Sequence, residues 1–184
     1  MEKKKLVQKM NNKNCFFLTN DDGYKAIGLK YLKKIVKQIS SDIWVFAPSK
    51  NQSAKSHSIT INKNINIKMA NKKEYIIKGT PSDCVILGLE KIKNKKNKNI
   101  LLISGINEGV NLGYDLLYSG TVAAAREGAL NNIKSIAISI DKSNKKINWH
   151  ALEHFAPKIF HEFTKIKLTN NFFLNVNFPS CNKE

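Results

Sequence analysis

Hydrophobic residues along the chain fall into two patterns: short unbroken runs, and longer stretches in which apolar positions recur every three or four residues. The first run, Cys15-Phe16-Phe17-Leu18, predicts a strand over 15–19 that is buried on both faces. Leu29, Leu32, Ile35, Val36 and Ile39 then recur at helical spacing with lysines between them, which predicts an amphipathic helix. Ile43 to Ala47 predicts a second buried strand, stopped by Pro48. Strand, helix and strand in succession imply a parallel pair joined by a right-handed crossover. Ser49 to Ser58 reads as a polar loop.

Further along, Ile59-Thr60-Ile61, Ile65 to Met69 and Tyr75-Ile76-Ile77 predict short strands of a hairpin excursion. Thr80-Pro81-Ser82-Asp83 opens a helix by the usual chemistry: Thr as N-cap, Pro in the first turn and Asp close behind. Val85, Ile86 and Leu89 carry that helix to the Lys/Asn loop of 94–99. Ile100 to Ile103 predicts a third buried strand, followed by the Gly/Asn-rich segment 104–118. Ser119 or Thr121 caps a helix reaching Asn131, and Ile136 to Ile140 predicts the next strand. A helix over 149–163 has Leu152, Phe155, Ile159 and Phe163 on one face, and Phe172 to Val176 predicts the last strand.

This alternation predicts an α/β fold, a Rossmann-like, open and mostly parallel sheet with helices on both faces. Such sheets bind ligands beyond the carboxyl ends of their strands, where the strand order reverses. Asn20-Asp21-Asp22, Pro48 to Ser58 and Ser104 to Asn111 each follow a strand directly, so all three belong to that edge.

Composition narrows the class without choosing the chemistry. The 184 residues are 42% hydrophobic and 24% charged, which fits one globular domain over 15–184. Residues 1–14, rich in Lys and Asn, read as a disordered basic extension without the apolar core of a signal peptide. No apolar run is long enough for a membrane span. Cys15, Cys84 and Cys181 are odd in number and far apart, the usage of reduced thiols in a cytoplasm. The net charge of +17 opens a second class, binding of nucleic acid or another polyanion. Arg126 is the only arginine, however, and nucleic-acid readers favour arginine for bidentate contacts. The lysines are also scattered, so a solvated surface is the simpler account and no specific nucleic-acid partner is expected.

Against 31 basic residues the chain has only 14 acids, and Asp21 and Asp22 stand side by side after a buried strand. Burying two charges is costly unless they are paired or bind a metal. Asn-Asp-Asp-Gly is also the composition of an ordinary turn. The shared edge would add Ser53, Asn107 and Asn111 to the two carboxylates. These are hard oxygen donors, suited to Mg²⁺ or Mn²⁺ rather than to zinc or copper. Ser119-Gly120-Thr121 opens a helix whose free N–H groups, dipole and two hydroxyls suit a phosphate, though the same residues are also an ordinary cap. A hard metal beside an anion-binding helix start is the equipment of phosphate-ester hydrolysis. His57 reads as a loop residue and Asp115 as structural.

Four segments in order carry a resemblance. They are Leu18-Thr19-Asn20-Asp21-Asp22-Gly23-Tyr24; Ala47-Pro48 with Asn51-Gln52-Ser53; Gly79-Thr80-Pro81-Ser82-Asp83-Cys84; and Ser104-Gly105-Ile106-Asn107 through Asn111-Leu112-Gly113 and Asp115 to Tyr118-Ser119-Gly120-Thr121-Val122. On these the chain resembles the SurE family (survival protein E, 5′-nucleotidase) over nearly all of 15–179. The resemblance implies a three-layer α/β fold, assembly as a dimer or tetramer, and a metal-dependent phosphatase acting on nucleoside monophosphates. It implies one divalent ion, Mg²⁺ or Mn²⁺, on Asp21, Asp22, Ser53 and Asn107, and a phosphate pocket of Asn111, Ser119, Gly120 and Thr121. Asp21 and Asp22 are the candidate catalytic residues, with Asp21 orienting or deprotonating the attacking water; an aspartyl-phosphate route is the mechanistic alternative. The chain departs from the family pattern at Ala54, where Gly usually follows the loop serine. It also ends at Glu184, where the family continues into a C-terminal segment, so the expectation is a SurE-like domain lacking that segment. The readings set against an active enzyme are a non-catalytic polyanion binder and an inactive truncated remnant.

Overall fold

The computed structural model describes residues 14–92, 99–143, 147–167 and 171–181. Residues 1–13 of the expected basic extension and most of the Lys/Asn loop of 94–99 lie outside the described residues, while Asn14 already belongs to the first strand. The chain runs β1 (Asn14–Thr19), α1 (Ile27–Lys37), β2 (Ile43–Pro48), β3 (Ile67–Asn71), β4 (Glu74–Ile77) and α2 (Pro81–Ile92). It continues with β5 (Asn99–Glu108), α3 (Asp115–Tyr118), α4 (Gly120–Leu130), β6 (Lys134–Ile140), α5 (His150–Lys165) and β7 (Phe173–Phe178). The seven strands lie in the order β3-β4-β2-β1-β5-β6-β7. Every pairing is parallel except β3 with β4.

The order of strands follows from which runs are apolar on both faces. β1, at the centre, has five of its six residues buried, and its side chains alternate between two cores. Phe16 and Leu18 face α1 and α5, packing with Leu29, Leu32, Val36, Leu152 and Phe160. Cys15 and Phe17 face α2 and α4, packing with Phe46, Val85, Leu102 and Ala124. The result is three layers, helix pair, sheet, helix pair. From β1 the chain proceeds outward to β2 and then returns to β1's other side as β5, so strand order reverses between β1 and β5. That reversal is the crevice at which α/β sheets bind ligands.

Three expectations are corrected. Ile59-Thr60-Ile61 is not a strand: Thr60 is tied by its N–H and hydroxyl to Asp83 (2.9 and 2.6 Å), which fixes the segment as a loop against α2. β5 does not stop at Ile103 but runs on through Glu108, pairing with β6 across a register shift between Ser104 and Asn107. In α5 the buried stripe is Leu152, Ala156, Phe160 and Phe163, while Phe155 lies 42% exposed on the flank. Thr80 does cap α2 as expected: its hydroxyl accepts from Asp83 N–H while Asp83 accepts from Thr80 N–H, a reciprocal capping box. Among the described residues no helix is long and apolar enough to cross a membrane.

One close approach sets where β5 delivers its polar end. A Cβ on Gly28 of α1 would lie 1.9 Å from the Ile106 carbonyl oxygen, so helix and strand can touch only because that position is glycine. Gly28→Ala is expected to cost about 3 kcal/mol, the upper range for overpacking, because the obstacle is backbone and cannot rotate away. Urea denaturation with an unchanged m-value checks this; a loss below about 0.5 kcal/mol would mean the two elements do not pack this closely.

Candidate functional site

The turn after β1 is made by Asn20 and Gly23, not by the two acids. Asn20 Nδ2 donates to the Gly23 carbonyl at 3.0 Å, and Gly23 N–H donates back to Asn20 Oδ1 at 3.3 Å. The fully buried Asn20 side chain thus closes the turn, and Asp21 and Asp22 are left to project from it.

Asp21 goes under the start of α4. It is 3% exposed, and Thr121 Oγ1 donates to its Oδ1 at 2.5 Å. A Cβ at Gly120 would come within 2.8 Å of Asp21 Cβ, so the missing side chain is what lets the carboxylate reach the helix end. Burial pushes the Asp21 carboxyl above its usual range, while the Thr121 hydroxyl and nearby backbone N–H groups, including those of Thr121 and Gly120, pull it back down. Ser119 is the N-cap, its Oγ accepting from Val122 N–H at 3.2 Å. Of the two hydroxyls, Thr121 gives its hydrogen to Asp21, while Ser119 Oγ serves as acceptor in the cap.

The loop leaving β2 comes back onto the same turn. Gln52 N–H donates to the Asp21 carbonyl at 2.7 Å, and Asn51 Nδ2 donates to Asp22 Oδ1 at 3.2 Å. Ser53 follows directly, its N–H on Asn51 Oδ1 at 2.8 Å and its side chain exposed. Ala54 sits at φ 57°, a left-handed conformation that costs a non-glycine residue ~1–2 kcal/mol. This is the position at which glycine is expected from the family resemblance, and the left-handed backbone there is one that glycine adopts without strain.

On the other side of the crevice, β5 presents Asn107, whose Nδ2 donates to the Gly109 carbonyl at 2.7 Å. That bond orients the planar amide and turns Oδ1 the other way. Asn111 is 5% exposed and held by β6 and β7. Its Nδ2 donates to Ser139 Oγ at 2.8 Å, its N–H to Asn177 Oδ1 at 2.8 Å, and its carbonyl accepts from Asn175 at 2.9 Å and Asn177 at 3.2 Å. Asn175 and Asn177 were not among the candidate residues, although Asn-Val-Asn on a strand puts both amides on one face. Glu108 and Lys142 were also missed. They form an ion pair at 3.2 Å, and their charges act on Asp22.

Asp22 is half-buried, and its carboxyl is pushed up to about 6 by burial first, then by the charges of Asp21 and Glu108. The charge of Asp21 acts on its neighbour Asp22, and the candidate partners of the pair, the Ser53 hydroxyl and the Asn107 amide oxygen, are likewise hard oxygen donors. Such a set fits Mg²⁺ or Mn²⁺, and a bound cation would relieve the repulsion within the pair. Among the described residues no three His, Cys, Asp or Glu side chains gather into a metal-binding group. The candidate set has two acids completed by neutral oxygens, so the softer metals are disfavoured.

The sign of the pH response of the metal-free chain follows from Asp22. Its folded value of about 6 exceeds the ordinary 3.8, so the folded chain holds the proton more tightly. Its contribution to stability is therefore complete below about pH 4 and is lost as pH rises through 6. In EDTA, wild type is expected to lose on the order of 1–2 kcal/mol relative to Asp22→Asn between pH 4 and pH 7, after allowance for solvent screening. Urea titrations of both proteins across that range check it; parallel pH profiles would contradict it.

With this geometry in place, the comparisons with known proteins bear on the whole chain. The family model described as "Survival protein SurE" matches residues 16–184. The 5′-nucleotidase SurE of Wolbachia pipientis wMel is 40% identical over 168 residues, 90% of this chain and 66% of that protein. The 5′-nucleotidase SurE of Chelativorans sp. (strain BNC1) is 39% identical over 171 residues, 91% of this chain and 67% of that one. The crystal structure of the SurE protein from Aquifex aeolicus superposes with a TM-score of 0.83 at 35% identity, covering 92% of this chain and 67% of that one. The chain thus spans about two thirds of the length of the curated relatives it matches. A family match over almost the whole chain, together with the shared three-layer sheet, makes this protein a member of the SurE family.

Proposed function

We propose that the chain is a divalent-metal-dependent phosphomonoesterase that hydrolyses nucleoside 5′-monophosphates. The observation that carries this reading is the position of Asp21, which belongs to the acid pair and at the same time touches the N-terminus of α4. A cation-holding group and an anion-holding helix start therefore meet at one carboxylate. The names of the relatives, 5′-nucleotidase SurE, support the substrate class.

Asp21, Asp22, Ser53 and Asn107 are the residues that would hold one Mg²⁺ or Mn²⁺. When bound, such an ion supplies Lewis acidity and makes water a competent nucleophile near neutral pH. Ser119, with its own hydroxyl proton, receives a phosphate oxygen at the start of α4, where the helix dipole favours its charge. Thr121 fixes Asp21 so that its carboxylate keeps one orientation toward the attacking water. Asn111, locked by Asn175, Asn177 and Ser139, forms a rigid wall on the far side of the phosphate. The family resemblance extends the proposal to a dimer or tetramer. Three cysteines, odd in number and widely spaced along the chain, support a reducing compartment, the cytoplasm.

Hydrolysis of AMP and the other nucleoside monophosphates by the full chain tests the proposal. Activity is expected to vanish in EDTA, return with Mn²⁺ or Mg²⁺, and fall at least about 100-fold in Asp21→Asn. Turnover unchanged in that variant would sink the metal assignment, and a trapped phospho-aspartate would replace attack by water with the covalent route. Nucleic-acid binding that weakens steeply with salt, ignores chelators and comes without hydrolysis would favour the polyanion binder instead.

A further inference from the structure

We infer that His57 and Glu127 form a latch that holds the Ser53 loop in place, making both of them positioning residues for the cation side of the site. The inference deepens the proposed function and rests on it only for the role of Ser53. Its starting point is the conformation of the loop between β2 and the Thr60 contact. Ala54 at φ 57° and Ser56 at φ 53° both occupy the left-handed region, two non-glycine residues within three positions. A segment strained in this way keeps its shape only when its surroundings over-determine it.

The surroundings do so from two ends. The near end is Gln52 N–H on the Asp21 carbonyl and Asn51 on Asp22. The far end is a cluster on α3 and α4: Ser56 N–H donates to the Tyr118 carbonyl at 3.0 Å and Ser56 Oγ to the Leu117 carbonyl at 2.6 Å. Beside it, His57 Nε2 meets Glu127 Oε2 at 2.7 Å, with side chains 21% and 14% exposed. Thr80 Oγ1 then fastens the Ser58 carbonyl at 2.7 Å. Ser53 and Ala54 bridge the two ends.

Glu127 is preset for this contact. Asn131 Nδ2 donates to its other carboxylate oxygen at 2.9 Å, so the oxygen facing His57 is already aimed. A half-buried, charge-assisted bond of this kind outweighs an exposed one. Glu127 also lies on α4, two turns beyond the Ser119–Thr121 start that holds Asp21. One helix therefore fixes Asp21 at its beginning and the Ser53 loop further along. The latch keeps the two segments in register, and neither latch residue needs to touch substrate or metal.

Hydrogen exchange of the full chain, followed in the amides of 51–58 against those of β1 and α4, tests this without any metal. His57→Ala is expected to speed exchange in 51–58 about tenfold and leave β1 and α4 near wild type. Adding Ala54→Gly to His57→Ala should recover part of that loss, since glycine adopts the left-handed conformation without strain. Mn²⁺ affinity should fall about tenfold in His57→Ala and return with His57→Gln, which keeps an N–H donor. Exchange in 51–58 equal to wild type, or a uniform rise across β1 and α4 that Ala54→Gly does not touch, would overturn the latch. If wild type binds no Mn²⁺ and hydrolyses nothing while the loop responds as expected, the latch stands and the proposed function falls.

Discussion

The structure depends on a carboxylate buried where a helix begins. Asp21 is placed by the central strand and is almost wholly removed from bulk water. Such a group is tolerable only with compensation, and three sources supply it: the Thr121 hydroxyl, the N-terminal field of α4, and the room created by Gly120. Each is a property of one short segment, Ser119-Gly120-Thr121. The segment reads as a helix cap, and Ser119 is one, but its remaining residues accommodate an acid from the turn after the central strand.

From that contact the rest of the site follows by topology. Strand order reverses between β1 and β5, so the turn after β1 faces the polar end of β5 across a crevice. α1 can press on β5 because Gly28 has no side chain, and β6 and β7 hold Asn111 through Ser139, Asn175 and Asn177. The loop from β2 closes the remaining side, tied to the Asp21 backbone at one end and to α4 at the other. The proposed hydrolase needs a cation and an anion side by side, and a sheet edge with one helix start is a compact way to provide both.

How much of this could be read from the sequence varied with the physics of each element. β1 and β2 were legible because a run such as Phe16-Phe17-Leu18 has no other way to bury both its faces. Asp21, Ser53 and Asn107 could be assigned to one edge because each comes after an apolar run that predicts a strand. The continuation of β5 was not legible, since Gly105, Asn107 and Glu108 are poor strand formers and only pairing with β6 keeps them extended. Ile59-Thr60-Ile61 has a strand's alternation, yet one carboxylate, Asp83, overrides it. The engagement of Thr121 with Asp21 joins residues 100 apart, and nothing local announces it.

The central claim is that the acid pair and the oxygens around it form one hard-cation site. Titration of the full chain with Mn²⁺, followed by electron paramagnetic resonance, tests it most directly. The account predicts one Mn²⁺ per chain, displaced by excess Mg²⁺ and lost in Asp22→Asn with the fold retained by circular dichroism. Mn²⁺ binding that is absent from wild type, or that survives in Asp22→Asn, would contradict it.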